Sequence, residues 1–124
     1  MYKIIAFLSR AHGYNVLCGI LENSDYKLLK VYTHRLKPKS EDPLRSQRHD
    51  YQLFMEKCTE YGIPIQCIDS RLDQIEDVPN CDFIVEVSWR YLISSKITKK
   101  AGIGSFGVHR GKLPEYAGAE PIKQ

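Results

Sequence analysis

Apolar and polar positions along the chain fall into two rhythms. Tyr2–Leu8 (YKIIAFL) is a nearly unbroken apolar run, the pattern of a central parallel strand buried on both faces. Gly13 is expected to break it. Val16, Leu17, Ile20 and Leu21 then share one helical face, and Tyr26–Thr33 (YKLLKVYT) reads as a second strand. Residues 34–43 (HRLKPKSEDP) carry two prolines and mixed charge, and read as a loop. Pro43 suits the first turn of a long helix. That helix places Tyr51, Phe54, Met55 and Cys58 on one stripe and stops at Gly62. Residues 63–69 (IPIQCID) predict a short third strand with Pro64 at its start. Residues 83–87 (FIVEV) predict a fourth. Ser94 or Ser95 can cap a short helix that ends in Lys99 and Lys100. Residues 105–109 (SFGVH) predict a fifth strand.

Strands alternating with helices imply β-α-β units. The fold class expected is α/β: a doubly wound, mostly parallel open sheet of Rossmann-like type, in one domain over residues 1–124. Such sheets bind ligands beyond the carboxyl ends of their strands. Two strand endings therefore stand out: the segment SWRYLIS, which begins at Ser88, and His109.

Composition narrows the class. The 124 residues are 43% hydrophobic and 27% charged, which excludes disordered, collagenous and coiled-coil chains. A net charge of +3 is too weak to point to a dedicated nucleic-acid binder. Cys18, Cys58, Cys67 and Cys81 form no C-x-x-C pair and have no zinc spacing, so no metal is expected. They read as reduced thiols of a cytoplasmic protein. The first residues lack the pattern of a signal peptide, and the apolar runs are too short to span a bilayer.

Residues 102–107 (GIGSFG) match G-x-G-x-x-G literally. A phosphate loop needs a strand before it and a helix after it, and here the order is reversed. His109 is the strongest single candidate for chemistry, because an imidazole at a strand's carboxyl end can donate to an oxyanion or move a proton near pH 7. His12, His34 and His49 read as surface or loop residues. Arg35, Lys37, Lys39, Arg45 and Arg48 form a basic cluster diluted by Glu41, Asp42 and Asp50, and read first as a solvated face. Contact with the phosphate of an anionic substrate is the alternative.

The stretch VHRGKLPEYAGAEPI resembles the signature loop of the formyltetrahydrofolate-dependent formyltransferases, which reads roughly H-x-S-x-L-P-x-Y-x-G-A-x-P. His109, Leu113, Pro114, Tyr116, Gly118, Ala119 and Pro121 keep that pattern. The upstream CDFIVEVSWRYLISSKI is similar to the family's strand and folate-facing turn. The family includes methionyl-tRNA and sugar-amine formyltransferases. The resemblance implies 10-formyltetrahydrofolate as one-carbon donor and an amine acceptor: an amino sugar, an aminoacyl-tRNA or a small metabolite. It implies a catalytic role for His109. Ser88, Trp89, Arg90, Tyr91 and Leu92 would hold the folate, with Leu113, Pro114, Tyr116 and Gly118 on the substrate loop.

Two departures accompany it. The family's asparagine, two residues before the histidine, is here Gly107, and the family's later aspartate loop has no counterpart before Gln124. The expectation is therefore the front part of a formyltransferase domain, inactive by itself. The rival expectation is a non-catalytic module that binds folate or a nucleotide-sugar, with an exposed sheet edge that invites a homodimer. An ordinary NAD- or ATP-binding domain is a third reading, weakened by the lack of a phosphate loop after the first strand.

Overall fold

The computed structural model of the chain describes residues 1–75 and 78–108. Five strands, β1 (Tyr2–Leu8), β2 (Tyr26–Thr33), β3 (Ile65–Cys67), β4 (Cys81–Val87) and β5 (Ala101–Val108), form one sheet in the order β3-β2-β1-β4-β5. Every neighbouring pair is parallel. Helices α1 (Arg10–Glu22), α2 (Tyr51–Tyr61) and α3 (Ser95–Thr98) lie between strands in sequence. This is the open, doubly wound α/β sheet that the alternation of patterns predicts.

The apolar runs explain the order. β1 is central and its last five residues are buried, as a strand covered on both faces must be. On one face Ile4, Ala6 and Leu8 pack with Leu17 and Ile20 of α1 and Phe54 of α2. On the other, Ile5 and Phe7 meet Tyr32, Ile68, Ile84 and Trp89. Burying a side chain such as Leu17 contributes roughly 1.5–3 kcal/mol. The α2 stripe closes at Gly62, which adopts φ 68° as a left-handed cap and donates its N–H to the carbonyls of Cys58 and Thr59.

Several sequence expectations need correction. Gly13 does not break β1; it lies inside α1, where a Cβ would stand 3.2 Å from the Leu8 carbonyl carbon. Gly13 therefore lets α1 sit close on the end of β1. Pro43 does not open α2, which begins at Tyr51. Residues 34–50 instead form a hairpin-like excursion. Lys37 N–H donates to Ser46 O, Arg48 N–H donates to Arg35 O, and Leu36 bridges Gln47. Asp42 accepts from the backbone N–H groups of Leu44 and Ser46, and Arg45 turns the chain at φ 53°. Those bonds occupy the groups a helical turn would need. The third strand is shorter than its apolar run, and β5 starts at Ala101, so GIGSFG is strand throughout.

Candidate functional site

The chain leaves β1 in one direction to β2 and β3, and in the other to β4 and β5. The carboxyl ends of β1 and β4 therefore flank the point where the winding reverses, which opens a crevice for ligands. Ser9, just past β1, donates its N–H to Val87 O at the end of β4 over 3.1 Å. Two non-glycine residues adopt left-handed backbone there: Arg10 at φ 66° and Ser88 at φ 58°. Such a conformation costs about 1–2 kcal/mol per residue and concentrates where a chain must aim a group.

His34 corrects the surface reading given to it. It is only 1% exposed, at the carboxyl end of β2. Its Nδ1 lies 2.5 Å from Ile68 O, and its Nε2 lies 3.3 Å from the backbone N–H of Arg90. A carbonyl can only accept and an N–H can only donate, so His34 is the neutral tautomer with its proton on Nδ1. Burial drives its pKa down to about 3, against a smaller upward pull from Ile68 O; the nearby Arg90, Arg48 and Arg10 lower it further. The ring stacks on Trp89 at 4.0 Å, and Trp89 meets Phe7 edge-on at 5.2 Å. One imidazole thus ties together the segments that follow β2, β3 and β4.

Other contacts tighten the same weave. Asp69 Oδ1 accepts from the N–H groups of Arg35 (2.9 Å) and Leu36 (2.8 Å). Arg45 donates from Nη2 to Asp69 O and from Nε to Lys37 O. The Arg90 guanidinium donates to Leu36 O. Within the basic cluster, Arg45 is thus committed to backbone, and Arg35 donates to Gln47 and lies over the Tyr51 ring.

The five turn residues are placed differently. Trp89 is 5% exposed and belongs to the core, with its Nε1 buried and unpartnered among the described residues. Tyr91 is half-buried, and Leu92 is 99% exposed. Ser88 Oγ is likewise buried without a partner among the described residues. Trp89, Arg90, Tyr91 and Leu92 line a cleft of about 450 Å³ together with Ile68, Arg71 and the carboxylate of Asp73. That volume lies in the range of small-molecule sites. An indole, a phenol ring and apolar side chains beside two guanidinium groups suit a flat heteroaromatic ring with an anionic tail.

The other candidate segment begins at the next strand. Val87 of β4 and Val108 of β5 are register partners, so Ser88 and His109 each follow in sequence from the same level of the sheet. His109 itself, with Leu113, Pro114, Tyr116 and Gly118, lies outside the described residues. At Gly107 a Cβ would come within 2.9 Å of Glu86 Cγ. Glu86 therefore fills the space in which a side chain at position 107 would begin.

A second cluster crosses the crevice. Arg10 pairs with Glu41 Oε2, Arg48 lies 3.6 Å from Glu41 Oε1, and Arg48 Nε lies 3.0 Å from Asp50 Oδ1. The hydrogen bond from Arg10 chiefly holds the Glu41 carboxyl below the usual carboxylate range. Arg10 and His34 carry no sequence signal as site residues. His34 is the first residue after β2 and Arg10 the second after β1, and that placement at a strand's carboxyl end was the one cue to either.

No protein-family model matches the chain, and no curated protein matches its sequence. Among the described residues, no helix is long and apolar enough to cross a membrane.

Proposed function

We propose that this chain belongs to a formyl-transfer protein that takes its one-carbon unit from 10-formyltetrahydrofolate and delivers it to an amine. The observation that carries the reading is the register of β4 and β5. The two sequence segments that resemble the family's folate turn and signature loop issue from the same end of adjacent strands, beside the switch in winding. The cleft along Trp89–Leu92 supports a flat ring at that turn.

The bound donor supplies an activated formyl carbon. Tyr91 and Leu92 cover the ring, while the Arg90 backbone is held in place by His34. The acceptor nitrogen adds to the formyl carbon, the carbonyl electron pair moves onto oxygen as an oxyanion, and its collapse breaks the bond to the folate nitrogen. The proton lost by the amine passes to the departing nitrogen. His109 carries that proton or donates to the oxyanion of the tetrahedral intermediate, and Leu113, Pro114, Tyr116 and Gly118 shape the acceptor's side. Free thiols at all four cysteines suit a reducing compartment such as the cytoplasm.

Glu86 favours a second reading. Position 107 is glycine and offers no side-chain donor to an oxyanion, and the Glu86 side chain fills the space where one would begin. Loss of one such donor typically costs about 10²–10³ in rate. Binding of folate or a nucleotide-sugar without turnover then remains, with Ile103 and Phe106, both exposed on the edge strand β5, supplying a surface for self-association.

Turnover separates the two. Tetrahydrofolate release by the intact protein is followed with 10-formyltetrahydrofolate and amines of the three acceptor classes. The first reading predicts release that His109→Ala abolishes with little change in unfolding temperature. Binding of the donor without release supports the second. Release unaffected by His109→Ala removes the histidine from the mechanism.

A further inference from the structure

The arginines at the switch point converge from three separate elements. Arg10 opens α1, Arg48 ends the 34–50 excursion, and Arg90 follows β4. All three act electrostatically on both His34 and Glu41, and the charge of Arg48 also lowers the Arg90 pKa, after the larger effect of burial. The contacts agree: Glu41 lies on both Arg10 and Arg48, and the Arg90 guanidinium donates to Leu36 O, next in sequence to Arg35, whose carbonyl accepts from the Arg48 N–H. Among the described residues two carboxylates pair with these arginines, Glu41 on Arg10 and Arg48, and Asp50 on Arg48. Arg90 Nη1 is buried and has no hydrogen-bond partner among the described residues. A buried guanidinium donor without an acceptor is costly, and an anion within reach relieves it.

Glu41 itself reaches in from the tip of the excursion. Its side chain is 40% exposed, and that of Arg10 is 31% exposed. A partly exposed ion pair of this kind is weak, so it yields easily to a stronger competitor. The strained backbone of Arg10, at φ 66°, is the cost of turning that side chain across the crevice toward the excursion.

We propose that Arg10, Arg48 and Arg90 form a binding site for a phosphate-bearing ligand, and that the Glu41 carboxylate occupies it as an internal stand-in which the ligand displaces. A phosphate group carries more charge than a carboxylate and presents three acceptor oxygens in a geometry that guanidinium forks match. Asp50 keeps Arg48 oriented while Glu41 leaves. The site uses this chain's own residues and stands independently of whether the chain handles folate.

Inorganic pyrophosphate is the probe, titrated calorimetrically into the full chain at low salt. Glu41→Gln keeps the size of the side chain, removes the competing charge from both Arg10 and Arg48, and sits on an exposed segment outside the two core clusters. It is expected to bind pyrophosphate at least ~10-fold more tightly than the unaltered protein. Arg10→Gln is expected to weaken binding by a similar factor and to flatten its salt dependence. Uridine diphosphate in place of pyrophosphate distinguishes the source of the phosphate. Tighter binding of the nucleotide supports a nucleotide-borne group, and equal binding supports the phosphate alone. The proposal is overturned if Glu41→Gln binds pyrophosphate no more tightly than the unaltered protein. It is also overturned if neither protein binds at millimolar concentration, or if Arg10→Gln leaves the affinity unchanged.

Discussion

At the scale of single residues, His34 shows most clearly how burial sets chemistry. A neutral imidazole donates to one loop and accepts from another, and a second proton on Nε2 would oppose the Arg90 N–H directly. In the unfolded chain the same ring titrates near 6.5. Between that value and about 3 the unfolded state binds the extra proton and the folded state does not. Stability therefore rises with pH across this window and is lost as pH falls through it, by about 1.4 kcal/mol per pH unit for one proton. Urea unfolding at several pH values between 7 and 4 should show that slope, and His34→Gln should remove it. An unchanged slope would mean that other groups carry the pH dependence. The role of His34 was illegible in the sequence, because its burial depends on three loops that meet only in the fold. The reach of Glu41 was illegible for the same reason.

At the scale of elements, the periodic segments were the readable ones. β1 and β2 lie where their apolar runs place them, since a strand covered on both faces needs continuous apolar sequence. The apolar stripe and Gly62 located the end of α2, whereas its start was misread from Pro43. A proline permits a first helical turn but does not require one, and here Asp42 and Arg45 bend the chain otherwise. Helix α1 offers a test of how closely it packs. Gly13→Val should destabilise the protein by about 1–3 kcal/mol, because the new side chain meets the Leu8 backbone. Gly19→Ala, in the same helix with nothing within 4 Å of its Cβ position, should stabilise by about 0.8–1 kcal/mol. Thermal unfolding of the two variants should move in opposite directions. Equal shifts would contradict the tight seating of α1 on β1.

At the scale of the whole molecule, the sheet order gathers the chemistry at the carboxyl ends of the strands. The reversal of winding between β1 and β4 brings together a cleft, two left-handed residues and three arginines from segments far apart in sequence. The Ser88–Leu92 segment stood out in the sequence because it follows a strand, and four of its residues line the cleft. Its internal division of labour did not stand out, since only packing shows that Trp89 is core while Leu92 stands free. That division gives the most direct test of the folate reading. Leu92 is 99% exposed, so Leu92→Asp should leave the unfolding temperature unchanged. Calorimetric titration with 5-formyltetrahydrofolate, a stable relative of the donor, should show saturable binding to the unaltered protein and at least ~10-fold weaker binding to Leu92→Asp. Absence of binding to the unaltered protein, or equal binding to both, would contradict the account.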